Sequence, residues 1–301
     1  MIDVETMNIS KKRFNSLERY KLPNEVFNTE AELYVLPVKN KWENTNKILK
    51  RLYVTNGPLF GNKLQTINSL IDLKEEINMK EIVFPEKIAV VNQQLVGYTM
   101  ELINSVNLGV VLNSTKISNE RKIKYLHQIG SIIEEMKKVR RYTKVSDFYL
   151  NDLHENNFVV DLLTDSIKVV DIDSCKINGN YTFASKYLTE NSLISSIRKY
   201  EHEENQICGG TFTPTYNTEI YCYVMIILNT IYGGGIHRIS VQDFYNYLDY
   251  LELIGLDKDL ILNIEKVLTN GQNENPYKLL NSIPKVMGRA HQNVYKKVKN
   301  K

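Results

Sequence analysis

The sequence predicts an α+β protein in two unequal parts, a small antiparallel β-sheet lobe carrying one helix and a larger, mainly helical lobe. Three observations lead there. Short strand-like segments separated by turns fill the first third of the chain, helical periodicity dominates from about Asn104 onward, and a polar cluster near the middle is framed by two apolar strands. The change of character at Ile103–Leu108 divides the chain into residues 1–103 and 104–301, and a junction of that kind is a favoured place for a ligand cleft.

Each element follows from its pattern. Glu32–Pro37 and Lys47–Val54 carry β-type alternation or apolar runs, and the polar stretch 40–46 between them reads as a turn, so the two are expected to pair as antiparallel strands. The period then changes: Leu64, Ile67, Leu70, Ile71 and Ile77 fall near one face of a helix over residues 63–77. Pro85 punctuates, and Lys87–Asn92 with Leu95–Leu102 flank Gln93-Gln94 as a hairpin. Beyond the junction, Ile123, Leu126, Ile129, Gly130, Ile133 and Met136 mark a helix over residues 123–139. Further helices are expected at Glu219–Tyr232, capped by Thr218, at Val241–Leu253 and at Leu260–Leu268. Gly233-Gly234-Gly235 ends the first of these, because a phosphate-cradling glycine loop would need a strand before it and a helix after it. The long polar stretch Ser174–Gly210 suits either a loop or an inserted helical element at Phe183–Tyr200.

Composition narrows the function classes. With 43% hydrophobic and 24% charged residues the 301-residue chain is ordinary for a folded globular protein. The net charge of +3 against 38 basic and 35 acidic residues makes no strong case for nucleic acid. The basic clusters Lys11–Arg13, Lys137–Arg141 and the tail from Lys296 read as solvated faces. Met1–Tyr20 lacks the apolar run of a signal peptide, and the best uncharged stretch, Tyr221–Ile231, is too short for a membrane span, so a cytoplasmic protein is expected. Cys175, Cys208 and Cys222 include no CxxC pair and fit reduced thiols.

The chemistry concentrates in Leu150-Asn151-Asp152-Leu153-His154-Glu155-Asn156-Asn157-Phe158-Val159-Val160 and in Lys168-Val169-Val170-Asp171-Ile172-Asp173. An Asp, an Asn five residues on, an apolar strand, and a second Asp closing another apolar strand can bring three oxygen-bearing side chains around one small volume. Phosphoryl transfer needs such a set: a carboxylate to position the attacking hydroxyl, and hard oxygen ligands for the magnesium that neutralises phosphate charge.

At these positions the chain resembles the protein-kinase-like superfamily, which implies a bilobal fold and an ATP- and Mg2+-dependent enzyme. By that resemblance Asp152 is the catalytic base or orienter, while Asn157 and Asp171 bind metal. Asn156 is an adjacent alternative to Asn157. Lys50 is the candidate phosphate-side lysine, with Lys47 and Arg51 as competitors. Met100-Glu101-Leu102-Ile103 resembles a hinge, in which backbone groups of Glu101 and Ile103 meet the adenine edge and Met100 lies beside the base. The helix partner of the lysine stays open among Asp72, Glu75 and Glu76, and Glu219 stands where kinases often carry a structural Asp.

The chain also departs from the pattern. His154 stands where protein kinases usually have Lys, and Asp173 replaces the Gly of Asp-Phe-Gly, either as a cap for the following turn or as a further metal or water ligand. Leu22–Pro37 contains no glycine, so the tip Asn28-Thr29 would have to cover phosphates without glycine's freedom of approach. An Ala-Pro-Glu segment is lacking. The expected function is therefore a Ser/Thr protein kinase-like phosphotransferase acting on a protein hydroxyl. A small-molecule kinase of the aminoglycoside-phosphotransferase type and a pseudokinase scaffold are the alternatives.

Overall fold

The computed structural model describes residues 5–21, 30–37, 47–182, 185–189, 213–236, 239–270, 274–281, 287–288, 290–293 and 295. The expectations for 40–46, Asn28-Thr29, Cys208, the basic tail and most of Phe183–Tyr200 fall outside these residues.

The described chain is a mixed α+β structure built around a six-stranded sheet and a small three-stranded one. Strands β1 (Thr6–Ile9), β2 (Glu18–Arg19), β3 (Ala31–Leu36), β4 (Lys47–Leu52), β5 (Pro85–Val91) and β6 (Gln94–Glu101) form the larger sheet in the order β1-β5-β6-β4-β3-β2. The expected antiparallel sheet is corrected to a mixed one, because β1 runs parallel to β5, pairing Thr6 with Ile88 and Ile9 with Val91. Two apolar residues, Met7 and Ile9, in a short segment among charged neighbours left no readable strand signal in the sequence. Ile9 is buried by joining Leu36, Leu49 and Ala89 in a small cluster. The β5–β6 hairpin turns on Asn92 and Gln93, both at positive φ, so the tip lies one residue earlier than Gln93-Gln94. Pro85 begins β5 rather than preceding it.

A short helix α1 (Lys11–Asn15) follows β1, and the opposite face of this sheet packs Ile48, Leu52, Ile88, Tyr98 and Met100 against Ile67 of α2 (Pro58–Ile77). The helix starts earlier than its apolar period shows because Gly57, at φ 87, turns the chain into Pro58 at its first position. Alternation along β4 puts Lys50 on the same face as Ile48 and Leu52, towards α2. Opposite it, in register, stands Tyr98. Beside that pair Gly97 has no room for a side chain: an added Cβ would stand 1.9 Å from the Lys50 carbonyl oxygen, which is backbone and cannot step aside. Gly97→Ala is therefore expected to lower unfolding stability by about 1–3 kcal/mol through overpacking. An unchanged urea midpoint would contradict this account of the β4–β6 contact.

The second sheet joins β7 (Ser105–Asn107), β8 (Phe158–Asp161) and β9 (Ser166–Val169) in antiparallel order. Half of the expected linker at Ile103–Leu108 is thus strand, Ser105–Asn107, paired to β8 through Val106–Val160. Around it lie α3 (Leu108–Asn113), α4 (Asn119–Tyr142), α5 (Lys186–Thr189), α6 (Tyr216–Tyr232), α7 (Val241–Leu253) and α8 (Lys258–Asn270). Nearly all of α6 is buried, which suits its apolar sequence. Thr215, not Thr218, is its N-cap; Thr218 closes the capping box from the third helical position. Gly233, at φ 90, ends the helix. Arg140 corrects the reading of Lys137–Arg141 as a solvated face, since it turns inward from α4 and is buried. Cys175 and Cys222 are buried and are not joined to each other by a disulfide. Among the described residues no helix is long and apolar enough to cross a membrane.

Candidate functional site

Two backbone attachments set the site. Val169, at the end of β9, donates its N–H to the Glu81 carbonyl and accepts from the Val83 N–H at 2.7 and 2.9 Å, tying the strand before Asp171 to the segment that leads into β5. On the other side Val170 N–H donates to the Asn157 carbonyl at 2.9 Å, fixing the two polar motifs against each other. Asp171 itself sits in the left-handed region at φ 60, which turns the chain from β9 into the short 3-10 turn at Ile172–Ser174.

These attachments open a cleft of about 400 Å3 between the larger sheet and the polar motifs. Lys50, Met100, Glu101, Ile103, Asp152, Asn157 and Asp171 all line it, so every site residue expected from the sequence reaches one cavity. Ile48, Leu33, Val83 and Val170 give it an apolar wall, and Tyr20, Lys21 and Glu30 line it from either side of residues 22–29.

Within the cleft Asp152 is held on both carboxylate oxygens. Asn157 Nδ2 donates to Asp152 Oδ2 at 3.1 Å and to the Asp152 carbonyl at 2.8 Å. Because those bonds use the amide nitrogen, they leave Oδ1, the atom that ligates hard cations, unspent. The 3.3 Å contact of His154 Nε2 with Asp152 Oδ1 completes the support. His154 Nδ1 accepts from the Asn156 N–H at 3.2 Å, which leaves Nε2 as the ring nitrogen that carries the proton and faces Asp152. Asn156, the alternative to Asn157, also lines the cleft, with its amide packed against α3: a Cβ on Gly109 would meet its Oδ1 at 2.2 Å.

Lys50 is 2% exposed and is the lysine that reaches the motif. Its competitors point elsewhere: Lys47 pairs with Glu86 at 2.5 Å and Arg51 with Glu32 at 3.1 Å. Lys50 Nζ bonds Asp171 Oδ1 and, at 2.9 Å, Asp173 Oδ2. None of Asp72, Glu75 and Glu76 is its partner; all three are exposed on α2, and Glu76 instead accepts from the Lys144 N–H at 2.9 Å. The α2 residue that faces the site is Lys63, whose Nζ lies 3.4 Å from Asp173 Oδ1 and 2.6 Å from Glu30 Oε2. Tyr98 adds its hydroxyl to Asp173 Oδ2 at 3.1 Å.

The two carboxylates differ accordingly. Burial would push Asp173 up, but the ammonium groups of Lys50 and Lys63 and the bonds from Lys50 and Tyr98 outweigh it, holding the carboxyl well below the usual range. Asp171 goes the other way: burial and the Asp173 charge raise it more than Lys50 lowers it. Asp171 keeps 39% of its side chain exposed and lines the cleft, whereas Asp173 keeps 1% and lies behind it. Asp173 is therefore not the turn cap expected from the sequence, because its Oδ2 takes Lys50 and Tyr98 and its Oδ1 faces the Lys63 ammonium. Among the described residues no group of three or more His, Cys, Asp and Glu side chains is arranged to hold a metal. A cation at Asp171 and Asn157 would draw its other oxygens from water or substrate.

Glu219 does reach back to the motif. Its Oε1 accepts from the Leu150 N–H at 2.8 Å, and it forms a buried ion pair with Arg140, which also donates to the Phe148 carbonyl at 2.7 Å. Sequence reasoning missed Lys63 and Tyr98. A readable signal existed for Lys63, which falls on the buried stripe of α2 with Ile67 and Leu70. Compared with known proteins, the chain matches no protein-family model and no curated protein.

Proposed function

We propose that the chain is an ATP- and magnesium-dependent phosphotransferase of bilobal, protein-kinase-like fold that transfers a γ-phosphoryl group to a hydroxyl, most simply that of a Ser or Thr side chain. One observation carries this reading: Lys50, the Met100–Ile103 strand end, Asp152, Asn157 and Asp171, drawn from separate regions of the sequence, line a single cleft. Residues 1–103 form the nucleotide lobe and 104–301 the lobe that carries the catalytic motif.

Adenine lies along the Met100–Ile103 edge against the apolar wall of Ile48, Leu33 and Val170, and Lys50 meets the phosphates as a buried point charge. Asp152, fixed through both oxygens, orients the acceptor hydroxyl and takes its proton as the new P–O bond forms and the bond to the leaving diphosphate breaks. His154 and Asn157 keep that carboxylate in place. Asp171 and the Asn157 amide oxygen would hold magnesium, which would supply charge neutralisation on the phosphates.

The test is thermal unfolding with ATP and magnesium. Ligand at a hundredfold excess over its Kd stabilises the folded state by about 2.7 kcal/mol, so a rise of several degrees is expected at millimolar nucleotide. No rise would overturn the proposal. A rise without any transfer of labelled phosphate would favour the scaffold alternative.

A further inference from the structure

A phosphate-side lysine buried at 2% exposure needs something to hold it, and α2 offers no carboxylate to do so. Resting on the reading of Lys50 as the phosphate cation, we infer that Asp173 is the positioning residue of Lys50, and that Lys63 of α2 positions Asp173 in turn. The helix thus contributes a cation to the site, and the anchoring carboxylate comes from the segment after β9.

The geometry separates this role from the two others open to Asp173. A metal ligand must face the cleft, yet Asp173 is 1% exposed and absent from the cleft wall, while its neighbour Asp171 is on it. A turn cap would spend its oxygens on nearby backbone N–H groups, yet Oδ2 receives the Lys50 ammonium at 2.9 Å and the Tyr98 hydroxyl at 3.1 Å, and Oδ1 faces Lys63 at 3.4 Å. Those partners come from β4, β6 and α2, three elements fixed by the sheet and its helix.

The arrangement has a functional consequence. Lys50 touches both carboxylates, and Asp171 is the one a metal would claim. With Asp173 behind, the ammonium keeps a partner when Asp171 turns to a cation, so its position does not depend on whether metal is bound. Lys63 extends the chain of alternating charge to Glu30 at 2.6 Å, the residue before β3 and part of the cleft lining. The site is therefore braced from the residue before β3 to the metal-side segment by Glu30, Lys63, Asp173 and Lys50.

Two readouts on the full chain test this. The first needs no nucleotide: acylation of Lys50 by an amine-specific reagent, followed by peptide mass spectrometry. Lys50 should be protected in the wild type, react at least about tenfold faster in Asp173→Asn and faster in Lys63→Met, and return to wild-type protection in Lys63→Arg. The second is ATP affinity measured with magnesium and with EDTA. Asp173→Asn should weaken binding about tenfold in both conditions, because a displaced Lys50 loses phosphate whether or not metal is present. Weakening confined to magnesium would make Asp173 a metal ligand and overturn the inference, as would wild-type labelling in both Asp173→Asn and Lys63→Met. If Asp173→Asn fails to fold, the Lys63→Met and Lys63→Arg pair decides alone. If labelling changes as expected while the wild type binds no ATP, the positioning stands and the phosphotransferase reading falls.

Discussion

Asp152→Asn is expected to lower phosphoryl transfer by about a hundredfold to ten-thousandfold, the range a positioned proton acceptor supplies, while leaving ATP affinity close to wild type. The substitution is nearly isosteric and removes the negative charge and one acceptor. Asp152 presents Oδ1 to His154 and Oδ2 to Asn157, so an amide there can accept from one of the two donors and must turn its NH2 towards the other. The Asp152 carbonyl still receives Asn157 Nδ2 at 2.8 Å, so the loop keeps its main brace. Transfer of γ-labelled phosphate, to the chain itself or to a mixed protein substrate, should collapse. The ATP-induced thermal shift should persist, because Lys50, Met100 and Ile103 are untouched. Transfer at wild-type rate would show that this carboxylate does not handle the hydroxyl. Loss of both transfer and the thermal shift, with unfolding, would make Asp152 a structural residue.

What was legible in the sequence was what is encoded at short range. The spacing from Asp152 to Asn157 and the apolar runs Phe158–Asp161 and Ile167–Val170 are local, and the structure forms strands there at Phe158–Asp161 and Ser166–Val169. The hairpin, the long helix around Ile129 and the glycine stop after Tyr232 rest on periodicity and backbone freedom, which are also local. What escaped was set by contacts across the chain. Lys50 and Asp173 stand 123 residues apart, and neither residue's neighbours announce the pairing. Lys63 carries a residue type that reads as solvent-facing, and only its place on the buried stripe of α2 betrays it. Arg140 was hidden in a basic run whose members Lys137 and Lys138 are exposed, although a helix necessarily points neighbouring residues in different directions. The parallel partner of β1 was unreadable for a different reason: which sheet edge a short strand joins depends on where the finished sheet leaves an edge open.

Arg140 supports the second large effect. Replacing it by Met should destabilise the fold by about 3–5 kcal/mol at pH 8, the cost of stranding a buried charge whose partner has been removed. The stranded group is Glu219, fully buried on α6 beside Tyr216 and bonded to the Leu150 N–H that begins the catalytic motif. Burial raises the Glu219 carboxyl from its ordinary 4.5 to about 7, with Arg140 and the Leu150 N–H opposing the rise. The sign follows from proton counting: between 4.5 and 7 the folded chain binds more protons here than the unfolded chain. The stability this group contributes is thus complete below about pH 4.5 and is lost as pH climbs through 7. Without Arg140 the carboxyl moves further up, so the variant should lose distinctly less stability near pH 5.5, where Glu219 can take a proton and become neutral. Urea unfolding of wild type and Arg140→Met at the two pH values measures the difference. Lys138→Met, two residues earlier and paired only at the surface with Glu135, should change little at either. An equal loss at both pH values would mean that Arg140 acts through its bond to the Phe148 carbonyl rather than through the charge of Glu219. A negligible loss at pH 8 would remove the Arg140–Glu219 pair as the brace beneath Leu150 and Asp152.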